Sequence, residues 1–375
     1  MLNERRPEIG STISIQKLAF NTILDRLRET GYQTIGPRVK NDTLVYEPIE
    51  SLNDLPQGYV TEQEAGRFRL IHTGHARYFD LIPGAQSWKQ FLFPPRLELF
   101  TLQKKSKNWE LITPKQEMPS YAFIGVRACE MAAIQIQDKA FLRQDFSDPV
   151  YRTRREKAFI LAVNCLHPAG TCFCASMETG PRVKDGFDLS MTELDDVFLL
   201  TIGSELARNL LGGIPFELAG AFVLNNAERG IENATQQMGR TLDISDLPEM
   251  ILKNLDNSYW QEIAKRCLSC ANCTQVCPTC FCWDALDHLD LNLTETLRER
   301  VWDSCFNPGY SYMAGGNTRP TISSRYRQWL SHKMGTWKQQ YGTFGCVGCG
   351  RCITWCPAEI DLTKEISELR KEAHQ

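Results

Sequence analysis

The sequence predicts a multidomain protein of the α+β or α/β class, with a mixed α/β N-terminal region and a helical domain at its C-terminal end. Three observations lead to this prediction. The 375 residues are enough for two or three domains. Between about residues 119 and 205, short apolar runs alternate with helical patterns, which is typical of a parallel sheet with crossover helices. The last third of the chain contains two copies of one cysteine pattern.

The same changes in pattern predict three parts. Residues 1–118 form an N-terminal helix and a small, mostly β region. Residues 119–255 form an α/β region with extra cysteines, and residues 256–375 form the domain that contains both cysteine runs. A long insertion at 278–345 separates the two runs, so the two halves of this domain must meet in space across it.

Hydrophobic spacing predicts the individual elements. Apolar residues at helical intervals predict an amphipathic helix over 12–30, with Gly31 as its stop. Strands are predicted at 43–46, 67–71, 122–126, 157–163 and 197–201. Further helical patterns lie at 131–141, around 151–155, over most of 204–266 and at 360–372.

The C-terminal domain is defined by two runs with the spacing C-x2-C-x2-C-x3-C-P. These runs are Cys267, Cys270, Cys273 and Cys277, then Cys346, Cys349, Cys352 and Cys356. This spacing is the bacterial ferredoxin pattern for a cubane [4Fe–4S] cluster. Two copies therefore predict a ferredoxin-like dicluster domain in a protein that moves single electrons rather than making bonds.

The fourth cysteine of each run is predicted to ligate the cluster of the other run, as in two-cluster ferredoxins. One cluster is then held by Cys267, Cys270, Cys273 and Cys356, and the other by Cys346, Cys349, Cys352 and Cys277. Gly345, Gly348 and Gly350 let the backbone approach the second cluster, so that its amides can bond to the sulfurs. Zinc sites use pairs of C-x2-C, and disulfide scaffolds suit short secreted chains, so both alternatives are weak.

Bulk composition narrows the class of protein. The net charge of −3 gives no indication of a basic surface that binds nucleic acid. No apolar run approaches the roughly 18 residues of a membrane span, and no apolar segment of a secretory signal follows the charged N-terminus. We therefore expect a soluble, cytoplasmic protein whose 15 cysteines stay reduced and available to metals.

Seven cysteines lie outside the two runs. Cys280, Cys282 and Cys305 lie in the insertion, where they either shield or tune a cluster or pack as small apolar side chains. The other four are Cys129, Cys165, Cys172 and Cys174, and several follow the predicted strands, where ligands collect in α/β sheets. We hypothesise that these four form a third site, for a cluster or another metal. Four packed or free thiols remain the alternative, because the spacing matches no standard motif.

Other motifs are few. No GxGxxG follows a strand and no GxxxxGK[ST] occurs, so no nucleotide or flavin site of its own is expected. His167 lies near the extra cysteines. We interpret it as a surface or core histidine, and a role as a metal ligand is the weaker alternative. A basic stretch in the insertion is interpreted as a solvated helix face, with compensation of cluster charge or docking of an acidic partner as alternatives. It comprises Arg319, Arg325, Arg327 and Lys333.

Several longer segments resemble one family. They are residues 87–95 (SWKQFLFPP), 125–130 (GVRACE), 164–165 (NC), 170–174 (GTCFC), 277–284 (CPTCFCWD), 302–305 (WDSC) and 345–352 (GCVGCGRC). Together they resemble the iron–sulfur β subunit of cytoplasmic, multi-subunit [NiFe] hydrogenases, also called sulfhydrogenases. The corresponding iron–sulfur protein of anaerobic sulfite reductases is a close relative of that family.

The resemblance implies a non-catalytic electron conduit with two [4Fe–4S] clusters on the eight cysteines of the two runs. It further implies a flavoprotein partner that binds FAD and NAD(P), and a catalytic partner that is a hydrogenase or, in the alternative, a sulfite reductase. Two other classes stay open, a standalone iron–sulfur redox enzyme with its active site in the α/β half, and a redox sensor that uses one cluster as a switch.

Overall fold

A computed structural model describes residues 6–116 and 118–372. Its strands are β1 (Thr12–Gln16), β2 (Gln33–Lys40), β3 (Thr43–Pro48), β4 (Tyr59–Glu64), β5 (Arg67–His72), β6 (Arg96–Lys105), β7 (Asn108–Ile112), β8 (Tyr121–Arg127), β9 (Phe159–Val163), β10 (Leu189–Glu193), β11 (Val197–Ile202), β12 (Glu217–Leu218), β13 (Trp283–Leu289), β14 (Glu295–Trp302), β15 (Tyr312–Met313) and β16 (Gly316–Asn317).

The α-helices are α1 (Phe20–Glu29), α2 (Lys89–Leu92), α3 (Ala128–Phe141), α4 (Pro149–Glu156), α5 (Glu205–Leu210), α6 (Ala221–Gln236), α7 (Leu247–Lys253), α8 (Tyr259–Arg266), α9 (Asn272–Gln275), α10 (Ile322–Ser331), α11 (Trp337–Tyr341), α12 (Arg351–Thr354) and α13 (Leu362–Glu372). Short 3-10 turns lie at Lys17–Ala19 and Leu52–Asp54, and a π-helical turn at His332–Thr336 joins α10 to α11. None of these helices is long and apolar enough to cross a membrane.

The main sheet has the strand order β12-β1-β11-β10-β9-β8-β2-β3. Its centre is parallel, because β8 pairs in parallel with both β2 and β9, and β9 pairs in parallel with β10. The flanking pairs are antiparallel. Strand β9 is buried along its whole length, as expected for a parallel strand covered on both faces. Apolar clusters fill both sides of this sheet, and a separate cluster forms the helical C-terminal core. The predicted fold class is confirmed.

The predicted helix over 12–30 is wrong in its first half. Residues 12–16 form β1, which pairs antiparallel with β11, and the α-helix covers Phe20–Glu29. The reason is the alternation of Thr12, Ile13, Ser14, Ile15 and Gln16, which buries both isoleucines on one face of the sheet. That two-residue period prevails over the helical spacing of the residues that follow.

The insertion between the cysteine runs contributes strands to a second sheet. Strands β13 and β14 form a hairpin, and β14 pairs antiparallel with β6 in a sheet of order β13-β14-β6-β7. Both this sheet and the main sheet therefore contain strands from before residue 118 and from after it. The boundaries predicted at residues 118 and 255 stay predictions.

Two connections of the main sheet position the cysteines of the α/β region. Strand β8 leads directly into α3, and β9 leads into the segment 164–188 before β10. Because β8 and β9 are parallel neighbours, their carboxyl ends meet at one edge of the sheet. Loops from this edge face the C-terminal domain, where the carbonyl of Gly348 accepts a hydrogen bond from the amide of Phe173 at 2.8 Å.

Candidate iron–sulfur centres

The first three cysteines of the first run and the last cysteine of the second run line one cavity. We call Cys267, Cys270, Cys273 and Cys356 the first quartet. Aromatic and aliphatic side chains from the C-terminal core, including Phe306 and Trp329, complete the wall. Cys270 is exposed, whereas the other three thiols are partly buried. The structure thus brings together the four residues that the crossed assignment requires.

The remaining cysteines of the two runs form the second quartet, Cys346, Cys349, Cys352 and Cys277. Burial is the main cause that raises the pKa of the other three thiols. The charge of Cys277 raises each of these pKa values further, so Cys277 lies near all three. Cys352 also lies in the wall of the first quartet's cavity. The two quartets therefore adjoin, and the ligation itself remains a prediction.

Burial keeps most of these thiols protonated in the absence of metal. It raises the pKa of Cys346 to about 12 and the pKa of Cys273 and Cys352 well above the ordinary thiol range. Since iron binds the thiolate, cluster assembly must release these protons, and it contributes folding free energy at the same time. Cys277 is the opposite case, because a hydrogen bond with the Cys280 thiol and the charge of Lys333 hold its pKa well below the ordinary range despite burial.

Lys333 is a buried ammonium beside the second quartet. It lies in the π-helical turn, a distortion often found at functional sites, and its Nζ donates to Cys277 Sγ at 3.2 Å, Thr279 Oγ1 at 2.8 Å and the Gly345 carbonyl at 3.0 Å. Burial alone would lower its pKa, but the neighbouring thiols, Cys277 first, raise it well above the ordinary value. The side chain thus places a buried positive charge beside the second quartet.

The interpretation of the basic stretch as a solvated face is therefore wrong for Lys333, and also for Arg325, which is 5% exposed. Arg325 donates to the Arg319 and Pro320 carbonyls and to Ser269 Oγ at 3.4 Å, within the first run. A second lysine, Lys89, is buried near Cys280, and burial lowers its pKa to about 8. Its Nζ donates to the Cys280 carbonyl at 3.1 Å. No pattern around these residues distinguishes them from surface lysines and arginines.

The glycines of the second run have two roles. Gly348 donates its amide to Cys346 Sγ at 3.4 Å, in line with the predicted bonding of amides to sulfur. Gly348 and Gly350 also have positive φ angles of 63° and 74°. A Cβ at either position would collide with the backbone of Phe173 or Thr171. Glycine is thus required because the second run packs directly on the cysteine loop at 170–174.

A buried carboxylate joins the α/β region to the second run. Glu130 accepts hydrogen bonds from Trp88 Nε1 at 3.0 Å and from the Tyr46 hydroxyl at 3.1 Å. It also pairs at 2.5 Å with Arg351, which lies between Cys349 and Cys352. This network was missed by sequence reasoning, although Trp88, Glu130 and Arg351 all lie in the segments that carry the family resemblance.

Replacing Glu130 with glutamine is expected to destabilise the fold by about 3–5 kcal/mol, because Arg351 is left as an uncompensated buried charge. The matched control is Glu47→Gln, which removes a more exposed partner of Lys40 and should cost no more than about 1 kcal/mol. Urea unfolding followed by tryptophan fluorescence measures both variants. An unfolding midpoint of Glu130→Gln equal to that of the wild type would show that the buried pair does not stabilise the fold.

The four cysteines predicted as a third site lie together, whereas His167 lies apart from them. Cys129, Cys165, Cys172 and Cys174 line one cavity at the carboxyl ends of β8 and β9. His167 is outside the lining of this cavity and is instead paired with Asp80 at 2.8 Å, with its side chain 47% exposed, which fits the interpretation of a surface histidine.

The insertion cysteines lie beside the second quartet. Hydrogen bonds link Cys280 to Cys277 and Cys282 to Cys305, and the latter bond, with smaller effects from Tyr310 and Lys333, lowers the pKa of Cys282 to about 6 despite burial. Lys333 acts on all three through its charge. These contacts fit the interpretation that they shield or tune a cluster, which stays a prediction.

Comparisons with known proteins identify the family of the chain. The family model of a 4Fe-4S dicluster domain matches residues 266–360, which contain both cysteine runs. The curated protein "Sulfhydrogenase 2 subunit beta" of Pyrococcus furiosus is 31% identical over 355 residues, which cover 94% of this chain and 96% of that protein. No solved structure matches the chain. The predictions of an iron–sulfur protein and of the family resemblance are confirmed.

Proposed function

This chain belongs to the sulfhydrogenase β-subunit family, and from that premise we propose that it is the electron-transferring iron–sulfur subunit of a cytoplasmic [NiFe] hydrogenase complex. Its proposed partners are a flavoprotein subunit that binds FAD and NAD(P) and a catalytic hydrogenase subunit. Electrons pass between those partners through the clusters of this chain, which itself makes and breaks no substrate bonds.

The observation that carries this proposal is the contact between the two quartets. Cys352 of the second quartet lies in the wall of the cavity that the first quartet lines. All eight ligands are thiols, a soft donor set suited to iron–sulfur clusters, which supply one-electron chemistry when bound. Two such centres with a shared wall can exchange electrons directly, without any intervening carrier.

The two quartets differ in their access to the surface. Cys270 is exposed, and the neighbouring Leu268 is 65% exposed, so the first quartet lies where a partner can dock. The second quartet is enclosed by Lys333, Arg351 and the loop at 170–174. We propose that electrons enter or leave the chain at the face around Cys270.

Purification of the tagged chain from its own host under anaerobic conditions tests this proposal. We expect the flavoprotein and hydrogenase subunits to co-purify, and the complex to reduce NAD(P)⁺ with H2. The same chain stripped of its partners should show no turnover. Turnover by the isolated chain would establish a standalone enzyme, and co-purified sulfite reduction without hydrogenase activity would establish the sulfite reductase alternative. Either result would contradict the proposal.

A further inference from the structure

Four thiols outside the ferredoxin runs converge at the edge of the main sheet. Cys129 lies in the first turn of α3, and Cys165, Cys172 and Cys174 lie in the segment between β9 and β10. All four line one cavity, and we call them the third quartet. The space within this cavity and its open mouth together is about 410 Å³, against about 460 Å³ for the first quartet's cavity and its mouth. The two spaces therefore belong to the same size class.

The wall of this cavity suits an anionic, sulfur-ligated group. Its remaining surface is mostly apolar, with Ile82, Pro168 and Met238 among the lining residues. The polar groups in the described wall, besides the thiols, are the two arginines Arg127 and Arg351, and no carboxylate lies in it. The N-terminus of α3 adds a further partial positive charge. A cluster with four thiolate ligands is negatively charged, and Arg127 would offset part of that charge, whereas Arg351 is already paired with Glu130.

The third quartet does not form a ready site for a single metal ion. A structural zinc ion needs its sulfur ligands at about 2.3 Å from the metal, so the thiols must approach one another closely. Among residues 6–116 and 118–372, no three His, Cys, Asp or Glu side chains converge closely enough to hold one ion. The first and second quartets are subject to the same finding, although a dicluster family model matches their residues. This finding therefore does not distinguish the third quartet from the two quartets of the ferredoxin runs.

The third quartet also adjoins the second quartet. Cys349 of the second quartet lines the third quartet's cavity and acts through its charge on Cys129, Cys172 and Cys174. The backbones of the two cysteine loops are in contact, because the Phe173 amide donates to the Gly348 carbonyl at 2.8 Å. The Thr179 hydroxyl donates to the Val347 carbonyl at 2.7 Å. These contacts hold the second quartet and the third quartet side by side.

We propose that Cys129, Cys165, Cys172 and Cys174 ligate a third [4Fe–4S] cluster, which extends the electron path from the second quartet into the α/β region. This inference rests on the proposed function of the chain as an electron conduit. In the added step, one electron leaves the reduced cluster of the second quartet, which returns to its oxidised state, and reduces the third cluster. No proton or other atom is transferred.

Iron, zinc and acid-labile sulfide are measured per chain on the anaerobically purified full-length protein. Three cubanes predict about twelve irons and twelve sulfides for the wild type, and about eight of each for the double variant Cys172→Ala/Cys174→Ala. Ser323→Ala is the control, since Ser323 is a buried small side chain of α10 that lines neither cavity, and it should keep the wild-type count.

About eight irons in the wild type would overturn the third cluster and leave the conduit proposal intact, whereas an iron count well below eight would overturn both. One zinc in addition to eight irons, lost in the double variant, would also overturn the third cluster. If the double variant fails to fold, a reductive titration of the wild type decides the question. About three electrons per chain support three clusters, and about two overturn the proposal.

Discussion

Replacing Cys273 with alanine is expected to abolish H2-dependent reduction of NAD(P)⁺ by the assembled complex. Cys273 lies with Cys267, Cys270 and Cys356 around one cavity, and the charge of Cys277 from the second quartet also acts on it. Loss of this ligand removes the cluster at the exposed end of the path, so that electrons cannot cross between the partner proteins. The partner reactions with artificial dyes, driven by H2 at the hydrogenase and by NAD(P)H at the flavoprotein, should persist at nearly wild-type rates.

Ser323→Ala is the matched control for this experiment, because it shortens a buried small side chain of the C-terminal domain that belongs to neither quartet. This variant should retain the full H2-dependent rate. A Cys273→Ala complex that has lost about four irons yet still reduces NAD(P)⁺ at the wild-type rate would show that the electron path runs elsewhere.

Replacing Lys333 with methionine is expected to make the reduction potential of the second quartet's cluster more negative. The ammonium lies 3.2 Å from Cys277 Sγ and stabilises the extra electron of the reduced state. A unit charge about 5 Å from the cluster edge contributes about 3 kcal/mol at an effective dielectric constant of about 20. For a one-electron couple this corresponds to a shift on the order of 100 mV.

Redox titration followed by electron paramagnetic resonance measures this shift. Lys338→Met is the control, since Lys338 lies on the same helical segment but is exposed. Its loss should leave the reduction potentials of the clusters at the first and second quartets nearly unchanged. An unchanged or more positive potential in Lys333→Met would mean that the buried ammonium does not tune the cluster.

The sequence alone predicts those features that depend on the spacing of residues close together in the chain. The cubane ligands follow a fixed interval, so the two cysteine runs could be recognised, and the family model matches the segment that holds them. The sequence also predicts the third quartet as a possible site, because Cys129 and Cys165 follow predicted parallel strands, whose carboxyl ends share one edge of a sheet. The structure places all four of these thiols around one cavity.

The remaining features depend on contacts between distant segments, which spacing does not reveal. Strand β14 of the insertion pairs with β6, almost 200 residues earlier in the chain. Lys333 is buried because a π-helical turn places it against Cys277, whereas an isolated lysine in a polar helix is ordinarily solvated. The Glu130–Arg351 pair likewise joins two segments whose sequence patterns, taken singly, indicate nothing about each other.

Crossed ligation of two iron–sulfur clusters by the runs at 267–277 and 346–356 is the central claim. Anomalous diffraction at the iron and zinc edges, from crystals of the anaerobically purified chain, tests it most directly. We expect one iron cluster bound by Cys267, Cys270, Cys273 and Cys356 and another bound by Cys346, Cys349, Cys352 and Cys277. Each run binding its own four-cysteine cluster, or zinc in place of iron at either quartet, would contradict this claim.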